Sequence, residues 1–203
     1  MAIPCPRCGR EYDVTLFEFG RTLWCTCGSR VGIAPRVRSE SPMAEKRFLA
    51  DAMLGRLARW LRILGFDCAW DAALDDETLV RRAVVEDRIL LSRDRSLPAD
   101  WWVPGIHLIG SEALGDQLRD VVRSFDLAGS LRLFSRCNTC NLPLREARKA
   151  DVRERVPPRA FAQHESFFEC PSCRRVFWEG SHTERIRRVV DELLGGAGAA
   201  AQS

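Results

Sequence analysis

No apolar run in the 203 residues approaches the roughly 18 that a bilayer-spanning helix requires, so no transmembrane segment is expected. The opening stretch, MAIPCPRCGREYD, lacks the basic-then-apolar order of a secretory signal. A cytoplasmic location, where thiols stay reduced, is the expectation that follows. Lysine is scarce: Lys46 and Lys149 are the only two, and arginine supplies the rest of the basic charge. Arginine's planar fork matches phosphate geometry, although a GC-rich genome produces the same bias. Net charge is only +3, and its distribution says more than its size. Residues 1–46 carry +2, residues 47–130 carry −3 and residues 131–203 carry +4. An acidic middle between basic ends suits a cation-binding centre with arms that attract phosphate; chance scatter gives the same pattern.

What the chain does have is cysteine, nine in all. Eight fall in close pairs: Cys5-x-x-Cys8, Cys25-x-Cys27, Cys137-x-x-Cys140 and Cys170-x-x-Cys173. In a reduced compartment, four such pairs read as two four-thiolate zinc sites, with disulfide or redox pairs as the competing reading. Four thiolates leave zinc no open position, so both ions are expected to be structural. Gly9 and Gly28 follow the first two pairs and permit the positive φ that a knuckle requires. Between those pairs, EYDVTLFEFGRTLW reads as a hairpin with Gly20 near its turn. A ribbon of about thirty residues buries too little surface to fold unaided and depends on its metal. The ninth cysteine, Cys68, is expected to be a small core residue.

The organising stretch runs from Arg47 to Asp94. Three short apolar runs, RFLAD, FDCAWD and ILLSRD, each deliver an acid at or just after their ends: Asp51, Asp71 and Asp94. Parallel strands present their carboxyl ends to ligands, so acids placed there converge on one crevice. Between the first two runs lies a helix with Leu54, Leu57, Ala58, Leu61 and Leu64 on one stripe. Arg56, Arg59 and Arg62 recur on another face, either as solvated charges or as a row tracking a nucleic-acid backbone. Asp75 and Asp76 open a second helix; Asp75 suits the cap and Asp76 suits a ligand role. LPADWWVP reads as a surface loop, and GIHLIG as a fourth strand that makes His107 a core residue. Asp116 stands near the start of a further helix. The alternation predicts an α/β fold with a mainly parallel sheet flanked by helices. Towards the end, Ser181-x-x-Glu184 has the form of a capping box for a terminal helix. Residues 195–203, GGAGAAAQS, read as a flexible tail.

The ordered series FLADAMLGRLARWLRILGFDCAWD, DDETLV, ILLSRDRSL, DQLRDVV, RCNTCN and CPSCRRVFWEGSH resembles the Mut-seven C-terminal ribonuclease domain family over about residues 47–182. That resemblance implies a PIN-like nuclease fold with an appended zinc ribbon. It implies that Asp51, Asp76 and Asp94 hold the catalytic metal, with Asp116 at the position of a more variable fourth acid. Arg174 departs from the pattern, standing where this type of ribbon commonly has glycine. The expected organisation is a zinc ribbon over 1–33, a linker over 34–46, the PIN-like domain over 47–130, a second ribbon over 131–182, and a terminal helix and tail over 183–203.

Carboxylates that share a pocket repel one another, by ~4 kcal/mol per pair at ~4 Å and an effective dielectric near 20. A divalent cation relieves that cost, and oxygen donors favour magnesium or manganese. The expected activity is hydrolysis of RNA phosphodiester bonds at a site holding one or two Mg or Mn ions, beside two structural zinc ions. Asp51 and Asp94 would be direct ligands, Asp76 would complete the set or orient water, and Asp116 would support a second ion. Arg93, with Arg56 and Arg59, would hold phosphates. His182 would contact RNA, approach the acids or help pack the ribbon. The alternatives are a non-catalytic RNA- or ribosome-binding adaptor built on the two ribbons, and a nuclease toxin.

Overall fold

A computed structural model describes residues 1–33, 46–103 and 105–195. The linker expected over 34–46 lies outside the described residues apart from Lys46, and so does the expected tail beyond residue 195. In chain order the first elements are β1 (Ala2–Pro4), β2 (Glu11–Asp13), β3 (Thr22–Trp24), β4 (Arg30–Gly32) and β5 (Arg47–Ala50). Next come α1 (Gly55–Ile63), β6 (Asp67–Trp70), α2 (Asp76–Val85), β7 (Ile89–Ser92), α3 (Leu97–Asp100) and β8 (Ile106–Leu108). The remainder is α4 (Leu114–Ser124), β9 (Arg145–Ala147), α5 (Lys149–Val152), α6 (Pro158–Gln163), β10 (Phe167–Glu169), β11 (Val176–Phe177) and α7 (Ser181–Gly195). Two compact units result: Met1–Gly55 with Ala69–Gly110, and Arg56–Cys68 with Ser111–Ser203.

The fold is α/β. Its central sheet has the order β6-β5-β7-β8, and β5/β7 and β7/β8 pair in parallel. Strands of a sheet covered on both faces read as unbroken apolar runs. Phe48, Leu49 and Ala50 of β5 are accordingly fully buried, as are Leu91 and the closing Ser92 of β7. One core cluster joins Leu49 and Leu90 to Leu79, Val80 and Ala83 of α2 and to Leu97 and Trp101. Asp75 starts α2 as expected, its carboxylate accepting from the Thr78 amide at 2.8 Å. His107 is only half-buried, because β8 is an edge strand and not a central one.

The first ribbon belongs to the first unit. It does not contain the hairpin expected across residues 11–24. Instead β1 pairs with β2 and β3 with β4, both antiparallel, and a 3-10 segment, Val14–Gly20, fills the interval. Asp13 starts that segment by accepting from the Thr15 amide at 2.9 Å, which turns the chain before a hairpin can extend. LPADWWVP is likewise not a bare loop. It forms α3 and supplies the ribbon's seat: the Trp102 amide donates to Gly20 O at 2.6 Å, and Arg30 donates to Pro98 O at 2.6 Å while lying over the Trp102 ring at 4.8 Å.

In the second unit, β9, β10 and β11 form an antiparallel sheet in the order β11-β10-β9 over Val152, Val156 and Phe167. Arg62 does not join Arg56 and Arg59 at the surface. It is buried and donates to the carbonyls of Cys68 at 2.8 Å, Thr139 at 2.9 Å and Asn138 at 3.3 Å. The Asn141 side chain accepts from the Cys68 amide at 3.1 Å and donates to Asp67 at 2.7 Å. These side chains occupy backbone groups of β6, a device that blunts a sheet edge. The capping box expected at Ser181 is displaced by one residue. Gly180 O receives the Glu184 amide at 3.0 Å, and Thr183 Oγ1 accepts from the Gly180 amide at 2.8 Å. Gly180 is therefore the cap, and Thr183 supplies the back-bond that Glu184 was expected to make.

Candidate active site and zinc centres

Asp51 follows the last residue of β5, its amide donating to Leu91 O at 3.0 Å. Its side chain is buried, and Oδ2 accepts from the Ser92 hydroxyl at 2.6 Å. The same Ser92 Oγ accepts from the Asp94 amide at 2.9 Å. Asp94 in turn receives the amide and the hydroxyl of Ser96 on Oδ1, each at 2.7 Å. One hydroxyl thus ties together the acids that follow two adjacent parallel strands. Sequence reasoning missed Ser92; the available signal was a serine closing an otherwise apolar central strand two residues before an acid.

Asp76 lies in the first turn of α2. Atoms crowding its carboxyl raise its pKa, and the carboxylates of Asp94, Asp51, Asp75 and Asp100 push it further in the same direction. Asp51 and Asp94 therefore lie close enough to Asp76 to act on its carboxyl electrostatically. Their arrangement is looser than that of the thiols. Among the described residues, groups of three or more metal-donor atoms all within 4.8 Å of one another are the two cysteine sets.

Asp116 stands in the second unit, in the first turn of α4. The Ser111 hydroxyl at 3.0 Å and the Arg119 guanidinium hold its carboxyl below the ordinary aspartate value. Arg56 and Arg59 are exposed on α1, and Arg93 is half-buried between Ser92 and Asp94. His182 falls in the first turn of α7, and its side chain lies outside the described residues.

Cys5, Cys8, Cys25 and Cys27 form one thiol set, and Cys137, Cys140, Cys170 and Cys173 the other. Cys5–Cys27 and Cys8–Cys25 are separated by 3.5 Å and Cys137–Cys173 by 3.8 Å. Sulfurs bound at ~2.3 Å around a tetrahedral ion sit ~3.8 Å apart, whereas a disulfide brings them to ~2.05 Å. Burial pushes the Cys137 thiol up to about 11, so holding it as a thiolate calls for a cation beside it. Each set can hold one zinc ion.

The knuckles explain the spacing. In three of them the first cysteine's amide donates five residues ahead: Cys5 to Arg10 O, Cys137 to Leu142 O and Cys170 to Arg175 O. At Cys25 the bond reaches only to Ser29, the tightening that one intervening residue imposes. The residue after each second cysteine has positive φ: Gly9 at 70°, Gly28 at 79°, Asn141 at 62° and Arg174 at 61°.

A family model described as the Mut7-C RNAse domain matches residues 46–190. No curated protein and no solved structure matches the chain. Among the described residues, no helix is long and apolar enough to cross a membrane.

Proposed function

The chain belongs to the Mut7-C RNAse domain family, and we propose from that premise that it hydrolyses RNA phosphodiester bonds at a PIN-like, divalent-metal site. The observation that carries this reading is the Ser92 hydroxyl shared between Asp51 and the Asp94 amide, with the Asp76 carboxyl in the field of both acids. Asp51, Asp94 and Asp76 would hold Mg²⁺ or Mn²⁺, because all-oxygen donor sets suit those ions. When bound, such an ion lowers the pKa of the attacking water and offsets charge on the leaving oxygen.

The side chains have separate duties. Ser92 fixes the Asp51 carboxylate and the turn that carries Asp94. Asp76, whose raised pKa makes its carboxylate a stronger base than an ordinary aspartate, orients the attacking water and accepts the proton it releases. Arg93, Arg56 and Arg59 hold phosphates through their guanidinium forks, and His182 is a further RNA contact. Asp116 would have to leave Arg119 before supporting a second ion.

RNA cleavage with added Mg²⁺ or Mn²⁺, compared between wild type and Asp51→Asn, tests the reading. Cleavage by the variant falls below detection while its thermal melting stays native-like. Equal cutting by both proteins would remove Asp51 from the site. Metal-independent binding of RNA with no cutting by either protein would favour the adaptor.

A further inference from the structure

The second unit contains a cavity of about 990 Å³, at the upper end of the range common for ligand pockets, ~300–1,000 Å³. Arg56, Arg59 and Trp60 of α1 line one wall, an i, i+3, i+4 ridge on one helix face. Arg159 of α6 and the rings of Phe177 and Trp178 line others. Arg56, Arg59 and Arg159 are exposed, and none makes an ion pair with a described residue. The acids nearby do not cancel them. Glu179 is already paired with Arg187 at 2.8 Å, which leaves Glu184 as the acid on the lining.

The aromatic residues are half-buried, so part of each ring stays open to the cavity. Trp178 packs its inner side against Phe167, with ring centroids 6.3 Å apart, and is fixed before any ligand arrives. Unpaired guanidinium groups beside pre-positioned rings are the elements of a single-strand platform: cations follow the phosphates and bases stack on the rings. A duplex cannot use the rings, because its bases are stacked on one another.

We propose that this cavity, between α1, α6 and the C-terminal ribbon, is a binding groove for single-stranded RNA, with Trp178 and Trp60 as base-stacking residues and Arg159 as a phosphate contact. The proposal rests on the reading of the chain as an RNA-acting protein and narrows its substrate class to unpaired strands.

The test is fluorescence anisotropy with a labelled single-stranded oligoribonucleotide and its duplex form, using the full-length Asp51→Asn chain so that binding is read without cleavage. The single strand binds more tightly than the duplex. Trp178→Ala weakens binding roughly 5- to 150-fold, the loss of one stacked base. Trp178 also supports the ribbon core, so Arg159→Ala, at an exposed side chain, serves as the second variant. It weakens binding and lowers the salt-dependence slope by about 0.7. Single-strand binding unchanged in both variants would overturn the groove, and if wild type still cleaves RNA the nuclease reading stands without it. Groove-dependent binding by a wild type that never cleaves would keep the groove and end the nuclease reading. Duplex bound as tightly as single strand would overturn the strand preference.

Discussion

A single hydroxyl at the end of β7 serves two aspartates, donating to Asp51 and accepting from the amide of Asp94. Asp76 lies in the field of both acids, and burial first and those neighbouring carboxylates second raise its pKa. As pH rises through the window between the ordinary aspartate value of 3.8 and the raised folded value, the unfolded chain releases a proton that the folded chain still holds. Stability therefore falls across that window, and the deficit is fully present above it. Asp76→Asn removes the deficit: in metal-free protein it raises the melting temperature at neutral pH and leaves it unchanged below pH 3.8. The same variant loses part of the stabilisation that Mn²⁺ gives wild type. Thermal melts at both pH values, with and without Mn²⁺, check this, and a variant no more stable than wild type at neutral pH would refute it. The placement of Asp51 and Asp94 after strands and of Asp75 and Asp76 at a helix start was legible because strand ends and helix caps are marked by local pattern. Ser92 was not, since serine at a strand end has many uses. Arg62 misled for a different reason: its period-three spacing places it in a row with Arg59, while the carbonyls it serves on Asn138 and Thr139 lie more than seventy residues away.

At the scale of elements, the N-terminal ribbon shows which parts of the pattern carry information. Cysteine spacing and the glycines after Cys8 and Cys27 specify knuckles, and the knuckles formed. The intervening chain specified no hairpin, because Asp13 captures the Thr15 amide and commits the chain to a 3-10 segment. The seat on LPADWWVP was equally hidden, since two tryptophans between prolines have no periodicity, and their contacts are non-local. Gly20 is the tightest point of that seat, with φ of 84° and space for no side chain: a Cβ there would stand 2.3 Å from Trp102 O. Gly20→Ala combines a left-handed backbone strain of ~1–2 kcal/mol with that clash, so the ribbon lifts from α3. Limited proteolysis reads this as faster cleavage near Gly20 with zinc still bound. A variant as resistant as wild type would mean that the seat contributes little. Arg174 belongs at this scale too: its φ of 61° is the knuckle's demand, met by a residue whose guanidinium pairs with Glu169 at 2.7 Å.

For the whole molecule, the two zinc sites are unequal in what depends on them. The first set closes a small cluster of Cys5, Phe17, Cys25 and Val31, beside a sheet whose core around Leu49, Leu79 and Leu90 is separate from it. The second set holds the knuckle that carries Asn138, Thr139 and Asn141. Those residues supply two of the carbonyls that accept from buried Arg62 and the side-chain oxygen that accepts from the Cys68 amide. Losing the second zinc therefore takes the Asn138 and Thr139 carbonyls from buried Arg62, which among the described residues keeps only Cys68 O, and uncovers a strand edge at once. A buried donor left unsatisfied costs ~1–3 kcal/mol. Losing the first removes only a metal-dependent ribbon. Native mass spectrometry of wild type should give two zinc ions per chain, and Cys8→Ser and Cys140→Ser should each give one. Cys140→Ser then lowers the global melting temperature further than Cys8→Ser and promotes aggregation, because the edge of β6 that Asn141 covers is open to a second chain. Equal melting temperatures for the two variants would mean that Arg62 and β6 keep their partners without the metal, and that the C-terminal ribbon is an appendage to the fold.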